Sequence, residues 1–176
     1  APMVLFLQAT MDEQALYPMR DPLARVNVMA YRTGEQLNWH FDRSVFTTTL
    51  LLQAPEKGGD FVYRTGLRSE TDPNYDGVAK LLRGQDPDVR TLKLSAGTLN
   101  VFRGKNTAHK VSTVEGSRER LIAVFSYYPK PGVMFTPDEQ RAAFLLYVEG
   151  GLSVAEIGEI TGANPEAAKS RLRYAV

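Results

Sequence analysis

Between residues 26 and 128 the sequence breaks into short extended runs, none longer than eight residues, each closed by a turn signal. That alternation leaves room for little but a β sandwich or barrel. The runs fall at 26–31, 36–42, 46–53, 60–63, 89–94, 98–103, 107–111 and 120–127. Phe46-Thr-Thr-Thr-Leu-Leu-Leu-Gln53 is rich in β-branched and apolar residues, and Thr98–Phe102 and Leu121–Tyr127 alternate. Gly34, Pro55 with Gly58-Gly59, Gly97, Gly104 and Gly116 punctuate them, and Gly58-Gly59 reads as a hairpin turn. Residues 64–88 are polar and carry Asp72-Pro73-Asn74, Asp76-Gly77 and Asp86-Pro87. They read as a long loop with one or two helical turns over Val78–Leu82; loops of that length are commonly functional, here as a substrate lid.

The pattern changes near Pro137. Thr136 caps a helix with Pro137 first and Glu139 third, Ser153 caps a second, and Asn164 with Pro165 opens a third. The division is therefore 1–136, mainly β, and 137–176, helical. The 176 residues suffice for a core without staples, and the absence of cysteine excludes disulfides, zinc ribbons and iron–sulfur clusters. A net charge of +1 gives no electrostatic footprint for nucleic acid or an anionic membrane. The longest apolar run, Ala142–Val148, is too short to span a bilayer, and Ala1–Leu7 lacks the marks of a signal peptide, so the expected compartment is the cytoplasm.

The chain has two histidines. His40-Phe41-Asp42 ends an extended run, where residues i and i+2 share a face, so the imidazole and the carboxylate can grip one ion. His109 lies in another run, 107–111. Two histidines and one carboxylate compose the facial triad that holds non-haem Fe(II) and leaves positions open for substrate and oxygen. The competing reading is a pair of unrelated structural histidines.

The surrounding residues resemble the iron(II)- and 2-oxoglutarate-dependent oxygenases over roughly 25–133. The likeness runs through Asn27–Tyr31, Gly34-Glu-Gln-Leu-Asn-Trp-His-Phe-Asp42, Thr47–Gln53, Gly58-Gly-Asp-Phe61, Ala96–Phe102, Ala108-His-Lys-Val111 and Gly116-Ser-Arg-Glu-Arg-Leu121. It implies an eight-stranded jelly roll, a double-stranded β-helix, with His40, Asp42 and His109 as catalytic metal ligands. It implies Fe(II), 2-oxoglutarate and O2 as cofactor and co-substrates, and an arginine at the start of the eighth strand that holds the 2-oxoglutarate carboxylate. Arg118 and Arg120 both stand at suitable distances after His109; Arg120 directly precedes the apolar run 121–125 and is favoured, while Arg118 falls in the loop. Asn27 and Tyr31 share a strand face and are candidates for contacting co-substrate or substrate, as are Thr47 and Thr49. Trp39 reads as packing. The implied reaction is hydroxylation of a small metabolite such as an amino acid, with oxidative decarboxylation of 2-oxoglutarate to succinate. In related halogenases a small residue replaces the carboxylate, so Asp42 favours hydroxylation.

Residues 137–176 resemble region 4 of extracytoplasmic-function sigma factors, through Glu139–Leu146, Leu152-Ser-Val-Ala-Glu-Ile-Gly-Glu-Ile-Thr-Gly162 and Ala168-Lys-Ser-Arg-Leu-Arg-Tyr-Ala175. This implies a helix-turn-helix whose last helix, 164–176, contacts DNA through Lys169, Arg171 and Arg173. Residues 138–176 carry four Lys/Arg against six Asp/Glu, which limits phosphate contacts. A DNA-binding transcription module on a non-catalytic β scaffold is the alternative to the oxygenase.

Overall fold

The structure is a computed structural model and describes residues 2–21, 25–42, 44–134 and 136. The three helices expected after Pro137, with Lys169, Arg171 and Arg173, lie outside the described residues. The described elements run α1 (Pro2–Met11), β1 (Tyr17–Pro18), β2 (Val26–Tyr31), β3 (Leu37–His40), β4 (Phe46–Gln53), β5 (Lys57–Gly58), β6 (Phe61–Arg64), α2 (Tyr75–Leu82), β7 (Arg90–Leu92), β8 (Leu99–Phe102), β9 (Ala108–Val111), β10 (Val114–Glu115) and β11 (Arg120–Tyr128). Each of the eight expected runs is a strand. No described helix is long and apolar enough to cross a membrane.

The chain divides into two compact units, one of them residues 26–127. In this unit the strands form two antiparallel sheets and a short β5–β10 pair. One sheet places β2 beside β11, β11 beside β4 and β4 beside β8; the other runs β3-β9-β6-β7. The period-2 alternation of the strands gives each sheet a face for the other. Tyr31, Leu51 and Ile122 of the first sheet make a buried cluster with Val114, and Leu37 and Met29 pack against it. Phe61 of the second sheet meets Phe102 of the first, ring centroids 4.9 Å apart.

The outer face of the second sheet is covered by α2. Its apolar Leu81 is buried with Leu67 and Ala108, and Trp39, Phe41, Val78 and Val89 pack against them. Trp39 is thus packing, as expected. Asn74, in the left-handed conformation, caps α2 by accepting from the Gly77 amide at 3.1 Å. Any Cβ at Gly77 would collide with that cap. The helix starts three residues before the expected Val78 because Asn74 provides this cap, and it packs on the outer face of the sheet. At the end of the long loop Arg64 Nε grips both carboxylate oxygens of Asp86, at 3.1 and 3.0 Å.

Gly58-Gly59 is not a hairpin turn. Gly58 ends the short β5, which pairs with β10, and β4 before it and β6 after it belong to different sheets, so the glycines lie on a crossing between sheets, both at positive φ (68° and 64°).

In the other unit α1 has no acidic residue in its first turn and no basic residue in its last. Without those signals and with a nearly all-apolar surface it gave no periodic mark in the sequence. Leu7, Leu16 and Met19 are buried. The Arg20 amide donates to the Val133 carbonyl at 2.9 Å, tying the two stretches of this unit together.

Candidate metal centre

His40 and His109 stand directly opposite each other in the β3–β9 pair. This depends on an irregularity: Leu37 faces Val111 and His40 faces His109, so three steps on β3 match two on β9. Strict alternation would put Leu37 and Trp39 on one face and His40 on the other. The bulge lets Leu37 join the inner core, Trp39 the outer cluster, and His40 the inner face again.

Asp42 follows two residues after His40, and its amide donates to the Gly104 carbonyl at 3.0 Å. Asp42 Oδ1 lies 3.7 Å from His40 Nε2, and Oδ2 lies 3.5 Å from His109 Nε2. The three ligand atoms fall within 4.8 Å of one another. His40 Nδ1 donates to the Asn38 carbonyl at 2.8 Å, and His109 Nδ1 to that of Thr107 at 2.9 Å. Each imidazole is thereby fixed with the Nε2 lone pair turned inward. Thr47 Oγ1 donates to Asp42 Oδ2 at 2.5 Å and is itself within 2.8 Å of Ser44 Oγ. The donor set suits a divalent non-haem metal with open coordination positions.

Gly104 makes room for this carboxylate. A Cβ there would come within 2.6 Å of the Thr47 hydroxyl and 2.7 Å of Asp42 Cβ. Gly104→Ala is expected to displace Asp42 and weaken metal binding by about ten- to a hundredfold, the range found when a ligand's supporting contacts are lost. Competition with a chromophoric chelator measures it.

Burial lowers His40 to about 4, helped by the neighbouring His109 and opposed by Asp42. For Asp42, burial opposes ionisation, but the hydrogen bond and charge of His109, the charge of His40 and the Thr47 hydroxyl outweigh it and hold the carboxyl below its ordinary value. At neutral pH His40 is therefore a neutral imidazole beside an ionised Asp42, the form in which both can bind a metal. His40 falls from 6.5 unfolded to about 4 folded, so between these pH values the unfolded chain binds more protons. The metal-free chain is expected to lose stability as pH drops from 6.5 to about 4 through His40, and to go on losing it below as the depressed Asp42 carboxyl is protonated. Urea midpoints across that range measure it, and His40→Gln should flatten the profile.

Arg120 opens β11 opposite Tyr31 of β2 and is 1% exposed. Its Nε donates to the Gly59 carbonyl at 2.9 Å, its Cζ lies 5.3 Å from the Tyr31 ring centroid, and its Nη1 is buried with no hydrogen-bond partner among the described residues. Burial lowers its pKa. A buried guanidinium with an unmet donor is a ready seat for a carboxylate. Arg118 is exposed and donates to the carbonyls of Ala54 (2.8 Å) and Pro55 (3.2 Å). Asn27 and Thr49 both face Val124, and Thr49 also faces Asn100, so these residues form one row across the first sheet.

Sequence reasoning missed Gly59 and Gly104, which sit behind Arg120 and Asp42. A Cβ at Gly59 would lie 2.8 Å from Arg120 Cδ. The only available signal was a glycine at a turn, which says nothing of what lies against it.

Residues 3–134 match the protein family described as Halogenase D. The chain belongs to the Halogenase D family. Residues 137–176 match a second family, sigma-70 region 4. Among solved structures, the chain is similar to an oxidoreductase of the 2OG-Fe(II) oxygenase family from Burkholderia pseudomallei: 18% identity, covering 76% of this chain and 53% of that one, TM-score 0.55. It is also similar to AviO1 from Streptomyces viridochromogenes Tue57, at 18% identity, 77% and 60% coverage and TM-score 0.55. HygX from Streptomyces hygroscopicus, solved with nickel and 2-oxoglutarate bound, is similar at 14% identity, 77% and 69% coverage and TM-score 0.53. The likeness is one of fold, and the chain spans about half the length of the Burkholderia protein. No curated protein matches the chain.

Proposed function

We propose that the chain is an Fe(II)- and 2-oxoglutarate-dependent dioxygenase, its two sheets forming a double-stranded β-helix, that hydroxylates a small metabolite such as an amino acid. The observation that carries the reading is the His40–Asp42–His109 cluster, with both Nε2 atoms and the carboxylate converging within 4.8 Å. The fold shared with a 2OG-Fe(II) oxygenase, and the nickel and 2-oxoglutarate bound in HygX, support it. When bound, iron and 2-oxoglutarate supply, with O2, the oxidative decarboxylation to succinate and CO2 that drives attack on a C–H bond.

The residues have separate tasks. His40, Asp42 and His109 hold the metal. Arg120 offers its unmet Nη1 to the distal carboxylate of 2-oxoglutarate, with Tyr31 beside it. Arg118 is already occupied by two backbone carbonyls, which favours Arg120. Asn27 and Thr49 line the same inner face. Asp42 fills the third ligand position, so within a family described as Halogenase D we assign this chain hydroxylation.

Residues 1–136 form the oxygenase-like domain of this cytoplasmic enzyme and 137–176 a sigma-region-4-like segment. The match of 137–176 to sigma-70 region 4 favours a second activity, DNA contact through Lys169, Arg171 and Arg173 within 164–176. Charge reversal at those three positions should abolish promoter-fragment binding and leave oxygenase turnover intact; unchanged binding removes the basis for that activity.

The test of the main reading is an aerobic incubation with Fe(II), 2-oxoglutarate and a pool of free amino acids. Succinate and a product carrying one added oxygen atom are expected, both lost without iron. A folded chain that forms no succinate, or that chlorinates, contradicts the reading.

A further inference from the structure

Beside the metal centre lies a cavity of about 540 Å³. Phe61, Tyr63 and Phe102 wall one side, and the Phe61 and Phe102 rings touch His109, with centroids 5.5 and 4.7 Å away. Arg68, Arg103 and Asn100 also line it, and no lining residue is acidic. Asn100 Nδ2 is buried with no hydrogen-bond partner among the described residues. The cavity thus combines an apolar wall with two cations and an unmet donor.

Arg68 is held in place by the segments that carry the metal ligands. Its guanidinium lies 3.7 Å from the ring centroid of Phe41, the residue between His40 and Asp42. Its Nε and Nη2 both donate to the Lys105 carbonyl, at 2.9 and 2.6 Å. Lys105 follows Gly104, which backs Asp42. One edge of the guanidinium is therefore spent on a backbone oxygen, while the Nη1–Nη2 edge is left to take a bidentate anion. Nearby Glu70 is engaged by Lys105 Nζ at 2.5 Å. The charge of Glu70 also acts on Arg68, but no carboxylate lines the cavity, so the stacked, backbone-anchored guanidinium is a carboxylate receptor with much of its ordering cost already met by the fold.

We propose that this cavity is the primary substrate site and that Arg68 is its specificity-determining residue, selecting a small molecule that bears a carboxylate on an apolar body. The inference rests on the oxygenase reading for the word substrate, but the binding it asserts does not depend on metal or 2-oxoglutarate. The carboxylate sits on the outer edge of Arg68, the apolar body lies along Phe61 and Phe102, and the substrate's C–H bonds are carried toward the side of His109.

The test uses the full chain without added metal and saturation-transfer NMR with two pools: leucine, isoleucine, valine, methionine and phenylalanine, and the same five as C-terminal amides. Transfer to the acids and not to the amides is expected from the wild-type chain. For Arg68→Met the dissociation constant for the acids is expected to rise at least about tenfold, the loss typical of a charge-assisted hydrogen bond. Arg68→Lys, which keeps charge but not the fork, should fall between. Acids and amides bound equally by the wild type, no transfer to the acids, or acid binding unchanged in a folded Arg68→Met each overturn the proposal. The acid-against-amide comparison needs no variant, so a misfolded mutant does not leave the question open. Because iron is absent, a failure of the oxygenase reading shows in the succinate assay and not here.

Discussion

Asp42→Ala is expected to reduce iron-dependent succinate formation to the level of the metal-free chain. The carboxylate is one of three ligands, and its Oδ1 and Oδ2 face the two imidazoles at 3.7 and 3.5 Å. Without it the site keeps only two imidazole nitrogens and no oxygen ligand, a poorer set for a hard divalent metal. The fold should survive, because the substitution removes a carboxylate bonded to the Thr47 hydroxyl at 2.5 Å and to His109, each contact worth about 1.5–3 kcal/mol and offset by the removal of a buried charge. The backbone bond from Asp42 to Gly104 is untouched. Circular dichroism and thermal melting establish that fold beside the turnover assay. Turnover equal to that of the wild type would mean that the metal ligands are wrongly assigned.

Arg120→Met is expected to weaken 2-oxoglutarate binding by about tenfold or more while leaving iron affinity unchanged. The residue is 1% exposed, and its Nη1 has no hydrogen-bond partner among the described residues. Loss of the donor to Gly59 leaves a carbonyl unmet, at a cost of about 1–3 kcal/mol, partly offset by the removal of a buried charge. Arg118→Met is the control. It loses bonds to two backbone carbonyls at an exposed position, and the KM for 2-oxoglutarate should not move. The reverse pattern, a raised KM in Arg118→Met alone, would transfer the role to Arg118.

Much of the β unit was legible because strand signals are local. β-branched runs bounded by glycines located eight strands, and the His40–Asp42 spacing put both side chains on one face. Four features were not legible. The β3 bulge, which lets Leu37 and His40 face inward while Trp39 faces outward, depends on pairing with β9 and leaves no mark in composition. Gly58-Gly59 carries the composition of a hairpin, but its strands belong to different sheets; its use is to admit Arg120, 61 residues away in sequence. Arg68 stood in a polar loop and gained significance only when the fold stacked it on Phe41. Helix α1 escaped for the opposite reason: it has neither charge bias nor a clean apolar stripe.

The central claim is that His40, Asp42 and His109 hold iron beside a 2-oxoglutarate seat. Anaerobic titration of the chain with Fe(II) and 2-oxoglutarate tests it most directly, through the visible charge-transfer band of a chelated iron–keto acid complex. A band that saturates with 2-oxoglutarate in the wild type and is missing from His109→Ala is the expected result. No band from a folded wild-type chain, or the same band in His109→Ala, would contradict it.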